Sequence, residues 1–389
     1  MNHHHQRLRL RAGAFLALVL ATAAGLLAAP AAAATDEPPD VAAAYLKARA
    51  AAVASGRPAF VLAPYVVAGS ALAARETFVA RGTALRQADL GHVLDDVACD
   101  VTDLVWSSGA AVDIATVSAH AVTTFVWHAR GGASVEASGV DHTLTLKRVD
   151  GLWRVTADSC NDVEVPALLE RAGVPVVRVR AAERRLEQAA AAARRLPTPA
   201  APTTEGADTA LPSSATEQPA AKRYAYRLVY DRDAARAYAD RYALDYNPTY
   251  ARFTGDCCNF VSQGTRAGGM PMALGDWTSG WWYDKEGTNS PSDDAYSWSW
   301  ISCSRQIAFW VGTRIDWVSS ISNVSRGDVI YYDWTGDGSW DHVAILAGTN
   351  SAGQKVIDAH TTDHYRWYWK LGTASTRYKF GRVRAAWVV

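Results

Sequence analysis

Between residues 196 and 222 the chain cannot build a core. Pro197, Pro199, Pro202, Pro212 and Pro219 punctuate a run of Ala, Thr and Ser. Such a run buries too little apolar surface to offset the entropy of ordering it, and it reads as a flexible linker. It divides 389 residues into two parts, each of ordinary domain size. Composition changes across it: 12 of the 15 Trp and 14 of the 16 Tyr lie in the second part. The expected organisation is a leader over 1–34, an α+β accessory domain over 35–175, a helix and linker over 176–222, and a second domain over 223–389. The linker predicts that the two domains move independently.

The leader follows from its own pattern. Arg7, Arg9 and Arg11 precede an apolar run over 12–29, then Pro30 and an alanine stretch that ends at Ala34. A basic start, an apolar centre and a small-residue end form a secretory signal peptide, with an uncleaved anchor as the alternative. The expected protein is therefore secreted or associated with the cell wall, acts as a monomer, and has no integral membrane span once the leader is removed. Removal takes three Arg and no acid, leaving 36 basic against 39 acidic residues. That balance excludes a polybasic nucleic-acid binder. In an oxidising compartment the five cysteines (Cys99, Cys160, Cys257, Cys258 and Cys303) are odd in number, which points to one free thiol.

In the first domain, helices are expected over 41–54 and 72–89. Strands follow over 112–126 and 142–148, with Asp150-Gly151 as a hairpin signal into Trp153, Val155 and Ala157. Helices followed by a curved antiparallel meander resemble the nuclear-transport-factor-like cone. His92, His120, His128 and His142 read as surface or cross-strand residues. Cys99 and Cys160 are expected to pair.

The second domain carries the chemistry. Asp231 is an N-cap for a helix with Ala235, Tyr238, Ala239 and Tyr242 on one face. After the loop signal Gly255-Asp256, a helical stripe of Phe260, Val261, Gly264 and Ala267 places Cys257 at a helix N-terminus. There the unpaired N–H groups and the helix dipole favour a thiolate and can hold an oxyanion. A nucleophilic thiol also needs an imidazole, and His342, His360 and His364 are the candidates. His342 opens the strand Asp341-His342-Val343-Ala344-Ile345-Leu346-Ala347. On the next strand residues 356, 358 and 360 share a face, so Asp358 or His360 could orient His342. Asp333, Thr335, Asp337 and Gly338 imitate a calcium loop, but Ala344 stands where its last acid is needed, and a turn is expected. Trp281, Trp282 and Tyr283 cannot all point inward, and part of that run is expected at a groove.

Gly255-Asp256-Cys257-Cys258-Asn259-Phe260-Val261-Ser262-Gln263, with Ser325-Arg326-Gly327-Asp328 and Asp341-His342-Val343-Ala344, resembles the putative amidase domain family. That family is similar to the CHAP and NlpC-type cell-wall peptidases and their papain-like α+β core. The resemblance implies Cys257 as nucleophile, His342 as general base on an antiparallel sheet, and a third polar residue at Asp358, with His360 the other choice. It calls for no cofactor and no metal. Where the family has Thr, this chain has Cys258, about 100° round the helix from Cys257. Pairing of Cys258 with Cys303 would leave Cys257 free, whereas a Cys257–Cys258 bond would block it. The expected function is a cysteine amidase or peptidase acting on peptide or peptidoglycan-type amide bonds. The alternative is a non-catalytic wall-binding or adhesion protein on a degenerate hydrolase fold.

Overall fold

Prolines start the first helices among the described residues. In a computed structural model that describes residues 37–109, 111–194, 227–284, 291 and 294–388, α1 (Pro38–Ala54) and α2 (Pro58–Leu62) each carry Pro in the first turn. Proline suits that position because its missing N–H would have no helical partner there. The leader over 1–34 and the linker over 196–222 lie outside the described residues. The Ser70 side chain caps α3 (Ala71–Asp89) by accepting from the Ala73 N–H. Helices α1 and α3 pack on the meander of β1 (Val93–Ser108), β2 (Ile114–Ala129), β3 (Gly132–Val149) and β4 (Leu152–Cys160). Asp150 and Gly151 both take positive φ at the β3–β4 hairpin, as the sequence signal required. Two helices follow, α4 (Val165–Arg171) and α5 (Val176–Arg194).

The second part opens with β5 (Arg227–Val229) and α6 (Arg232–Tyr242). Asp231 caps α6 as expected, accepting from the N–H of Asp233 and Ala234 at 2.9 Å each. Next come α7 (Cys257–Ala267), the short β6 (Tyr283–Asp284) and β7 (Ala295–Tyr296), then α8 (Trp298–Ile301) and α9 (Cys303–Trp310). After these come, with one 3₁₀ turn at Ile321–Asn323, the strands β8 (Ile315–Val318), β9 (Val329–Asp333), β10 (His342–Thr349), β11 (Lys355–Ala359), β12 (Asp363–Tyr368), β13 (Arg377–Val383) and β14 (Ala386–Val388). The class is α+β with a large antiparallel sheet, as expected. Among the described residues no helix is long and apolar enough to cross a membrane.

The two parts do not stand apart. One sheet runs β1-β2-β3-β12-β11-β10-β9-β13-β8, with β4 on the other end of β3. Strand β3 is long enough to serve both: residues 142–149 pair with β4, and residues 137–139 pair with 363–365 of β12. Phe125 and Trp127 of β2 share a core with Ile330, Ala344, Leu346, Ile357, Ala359 and Trp367. Polar contacts lock the seam. Thr362 Oγ1 donates to the Asn161 carbonyl at 2.7 Å, and Trp367 Nε1 donates to Glu164 at 3.0 Å. Arg86 lies 4.3 Å over the Trp367 ring. This corrects the expectation of independent domains: the linker separates two parts in sequence whose edges complete one sheet.

The expected Cys99–Cys160 bond is also corrected. Both thiols are free, on β1 and β4, with β2 and β3 between them. Strands sit about 4.8 Å apart, so that gap far exceeds the roughly 7 Å limit of Cα separation in a disulfide. The Asp333 carboxylate accepts from the N–H groups of Gly336, Asp337 and Gly338, which makes the expected turn. Trp281 and Tyr283 are buried and Trp282 half-buried; the exposed ring of that region is Trp277.

Candidate active site

Helix α7 begins with a bare first turn. Its first intrahelical bond runs from the Phe260 N–H to the Asp256 carbonyl, and no side chain caps it. Asp256 stands at the cap position, but its carboxylate is committed elsewhere. Oδ1 accepts from the Phe253 N–H at 3.0 Å and from Asn259 Nδ2 at 2.9 Å, while Oδ2 meets His360 Nδ1 at 2.7 Å. The N–H groups at the helix start are thus left for another acceptor. The rest of the cysteine motif builds walls. Asn259 accepts from Trp300 Nε1 at 3.0 Å, and Ser262 Oγ accepts from Trp281 Nε1 at 3.1 Å. In the Ser325–Asp328 turn, Asp328 Oδ2 accepts from the Ser325 N–H and Oδ1 from the Val383 N–H.

Cys257 is the first residue of α7, 5% exposed, among two other thiols. Its sulfur lies 3.8 Å from that of Cys303, and the Cys258 and Cys303 sulfurs are 2.6 Å apart. All five cysteines are thiols in this structure. Hydrogen bonds from Cys258, then Cys303, hold the Cys257 thiol well below the ordinary thiol range; burial opposes them, and the His342 imidazole adds to the lowering. Burial pushes Cys258 and Cys303 the other way. Of the three sulfurs, Cys257 is thus the one whose thiolate is favoured, with the Cys303 sulfur within hydrogen-bonding reach of it.

His342 is the first residue of β10, 2% exposed, and its ring stacks on Trp334 with centroids 5.4 Å apart. Its interaction with the Cys257 sulfur brings two of the sequence-predicted residues together. Its Nε2 is buried without a hydrogen-bond partner.

The third predicted residue is placed elsewhere. Asp358 pairs with Ile345, three residues along β10 from His342. Three residues span about 10 Å, and an odd step turns the side chain to the opposite face. Asp358 accepts from the Arg366 N–H at 2.7 Å, where Arg366 takes positive φ in an irregular stretch of β12. Burial, then the nearby Asp240, pushes its carboxyl well above the ordinary range. The structure therefore does not bring Asp358 to His342. His360 lies on the same face as Asp358 and is no orienting group for His342 either. Its Nδ1 meets Asp256, its Nε2 donates to the Tyr242 carbonyl at 2.7 Å, and its ring lies between Phe260 and Tyr246.

The residue that sequence reasoning passed over is His364. It pairs with Ala359, the neighbour of Asp358 along β11, and so faces the side that His342 faces. Both its ring nitrogens are buried without partners. Burial, then the His342 charge, holds it well below the ordinary imidazole range. Its signal in the sequence was present, since it was one of three His in the region. The β11–β12 register that aims it could not be read.

The fold and site define a class: an α+β protein with a thiol at a helix start facing an imidazole at a strand start. Residues 229–382 match the profile of the family described as "Putative amidase domain", and the resemblance drawn from the cysteine and histidine motifs holds over that stretch. Two curated relatives come from Bacillus subtilis (strain 168). "Uncharacterized protein YhbB" is 33% identical over 167 residues, which is 40% of this chain and 50% of that one. "Uncharacterized protein YjcM" is 35% identical over 147 residues, 34% of this chain and 31% of that one. The match thus spans half or less of the curated relatives. Among solved structures, the intermembrane space region of chloroplast protein ARC6 aligns at 14% identity and a TM-score of 0.22, covering 31% of this chain and 91% of that one. A likeness of that size carries no argument.

Proposed function

We propose that the protein is an exported cysteine amidase or peptidase whose second part is a papain-like core. The single observation that carries this reading is Cys257: a buried thiol favoured as a thiolate, at an uncapped helix start, engaged by His342. The thiolate attacks an amide carbonyl. The tetrahedral oxyanion forms beside the free N–H groups of the first turn, where fixed dipoles stabilise it best. His342, protonated, gives its proton to the leaving amine and leaves a thioester on Cys257. It then takes a proton from water as the water attacks, and the acid is released. His364 faces the same side of the sheet and is the group suited to orienting the His342 ring. The nuclear-transport-factor-like cone of the first part serves as a buttress, since its strand β3 continues the sheet. The substrate class is a peptide or peptidoglycan-type amide; the family match and the expected leader support it.

The test is Cys257→Ala, assayed for amine release from peptidoglycan fragments and short peptides. The expected loss is at least about 10⁴-fold in kcat with the circular dichroism spectrum unchanged. A variant that turns over like the parent sinks the reading. A parent that binds cell walls but never releases amine favours the adhesion alternative.

A further inference from the structure

Cys257, Cys258 and Cys303 bring their three sulfurs within 4.8 Å of one another, all buried. Only one of the three is used by the reaction proposed above. We propose that Cys258 and Cys303 form a modification site, a dithiol that closes to a disulfide, and that closing it makes Cys257 less reactive by taking away the Cys303 S–H that lies 3.8 Å from its sulfur. The proposal rests on Cys257 being the reacting thiol.

Geometry selects the pair. The Cys258 and Cys303 sulfurs are 2.6 Å apart, so a small side-chain rotation brings them to the bonding distance of about 2.05 Å. Cys303 is 3.8 Å from Cys257, too far to bond without larger movement. Cys257 and Cys258 are successive residues of one helix and diverge by about 100°, which disfavours a vicinal bond. The bond would tie α9 to the first turn of α7, the segment that sets the nucleophile.

The chemical balance is simple. A small disulfide RSSR supplies the oxidant. The thiolate of one residue attacks it, forms a mixed disulfide and releases RS⁻. The second thiolate then displaces the other RS⁻, so two thiols are oxidised and one RSSR is reduced to two RSH. In the dithiol the Cys303 S–H can donate to the Cys257 thiolate; a disulfide has no S–H. What then faces Cys257 is the His342 imidazole from β10 and Tyr331 from β9, whose hydroxyl is turned to Gln306 at 2.7 Å. Asp341, just before β10, acts on Cys303. Of these, only His342 still favours the thiolate once the bond is closed.

The experiment uses the full chain and needs no substrate. Reduced protein is divided, and half is treated with bis(2-hydroxyethyl) disulfide, which is then removed. Both halves are alkylated with iodoacetamide between pH 5 and 8 and mapped by peptide mass. The expected result is a Cys258–Cys303 crosslink with Cys257 free. Its alkylation at pH 6 should be about tenfold slower than in the reduced half, with the profile shifted to higher pH. Cys303→Ser cannot close the bond, and the Cys257 left uncapped by the oxidant, counted by mass, must alkylate at the untreated rate; if that variant does not fold, Cys258→Ser makes the same comparison. A crosslink through Cys257, no crosslink, or identical profiles in the two halves overturns the proposal. If the profiles differ as expected but no amide is ever cleaved, the amidase reading fails and the thiol pair stands.

Discussion

Two buried imidazoles flank the start of α7, and they are held in opposite ways. His360 has both nitrogens engaged, one by the Asp256 carboxylate and one by the Tyr242 carbonyl, and aromatic rings on either side. A carbonyl only accepts, so Nε2 carries a proton, and the carboxylate favours a second proton on Nδ1. His342 has a buried Nε2 with no partner and lies near enough to the Cys257 sulfur to favour its thiolate. Every polar atom of the first is satisfied, which is what a structural group requires. The second keeps an unmet demand, which is what a group that must gain and lose a proton requires. The difference teaches that unspent hydrogen-bonding capacity beside a thiol, more than burial or sequence position, separates His342 from His360.

The largest effect that could break this contrast is on activity. His342→Gln keeps the volume and removes the proton carrier. We expect kcat/KM to fall by about 10²–10⁴-fold while urea unfolding moves by no more than about 1 kcal/mol. Equal activity would place the base elsewhere. A large loss of stability with activity intact would reverse the roles of the two rings.

The next effect is on stability. His360→Ala leaves the buried Asp256 carboxylate unpaired, and breaking such a pair costs about 3–5 kcal/mol. The pH dependence has a definite sign. Burial would lower the His360 pKa, but the Asp256 hydrogen bond leads the interactions that raise it above its ordinary value. A group raised in the folded state lends stability that is full below its unfolded pKa, near 6.5, and is lost as pH rises through the folded pKa. The stability gap between parent and His360→Ala should therefore be widest in mild acid and shrink toward alkaline pH. A gap that is flat, or that widens with pH, would mean that the ring acts by packing alone. Turnover per folded molecule should fall much less than in His342→Gln.

The starts of α7 and β10 were legible in the sequence because they depend on local signals. Gly255-Asp256 before a helical stripe fixed the start of α7, and His342 opened an apolar strand. What was illegible depends on which strand lies beside which. Period two correctly put Asp358 and His360 on one face, but alternation alone does not say which face looks toward His342. The same limit hid β3 joining β12, because residues 137–139 and 363–365 are separated by the whole linker. Strand β1 was missed for another reason: Asp95, Asp96, Asp100 and Asp103 interrupt its alternation, and much of its length is exposed.

The smallest effect sharpens the contrast from the side of the third residue. Asp358→Asn keeps an oxygen for the Arg366 N–H and removes a carboxyl that burial, then Asp240, pushes well above its ordinary range. An acid raised in the folded state binds its proton more tightly there than in the unfolded chain. It therefore withdraws stability as pH climbs past its unfolded pKa, about 3.9. Asn has no proton to lose, so the variant should match the parent below about pH 4 and exceed it by about 1 kcal/mol or more near pH 8. Because Asp358 lies on the other face from His342, kcat should change by less than about threefold, the scale of a substitution that touches no reacting group. His364→Gln, on the His342 face, should lower kcat more than Asp358→Asn does. If instead Asp358→Asn costs about 10²-fold in kcat and His364→Gln costs nothing, the carboxylate reaches His342 during turnover, and the assignment of faces to roles is wrong.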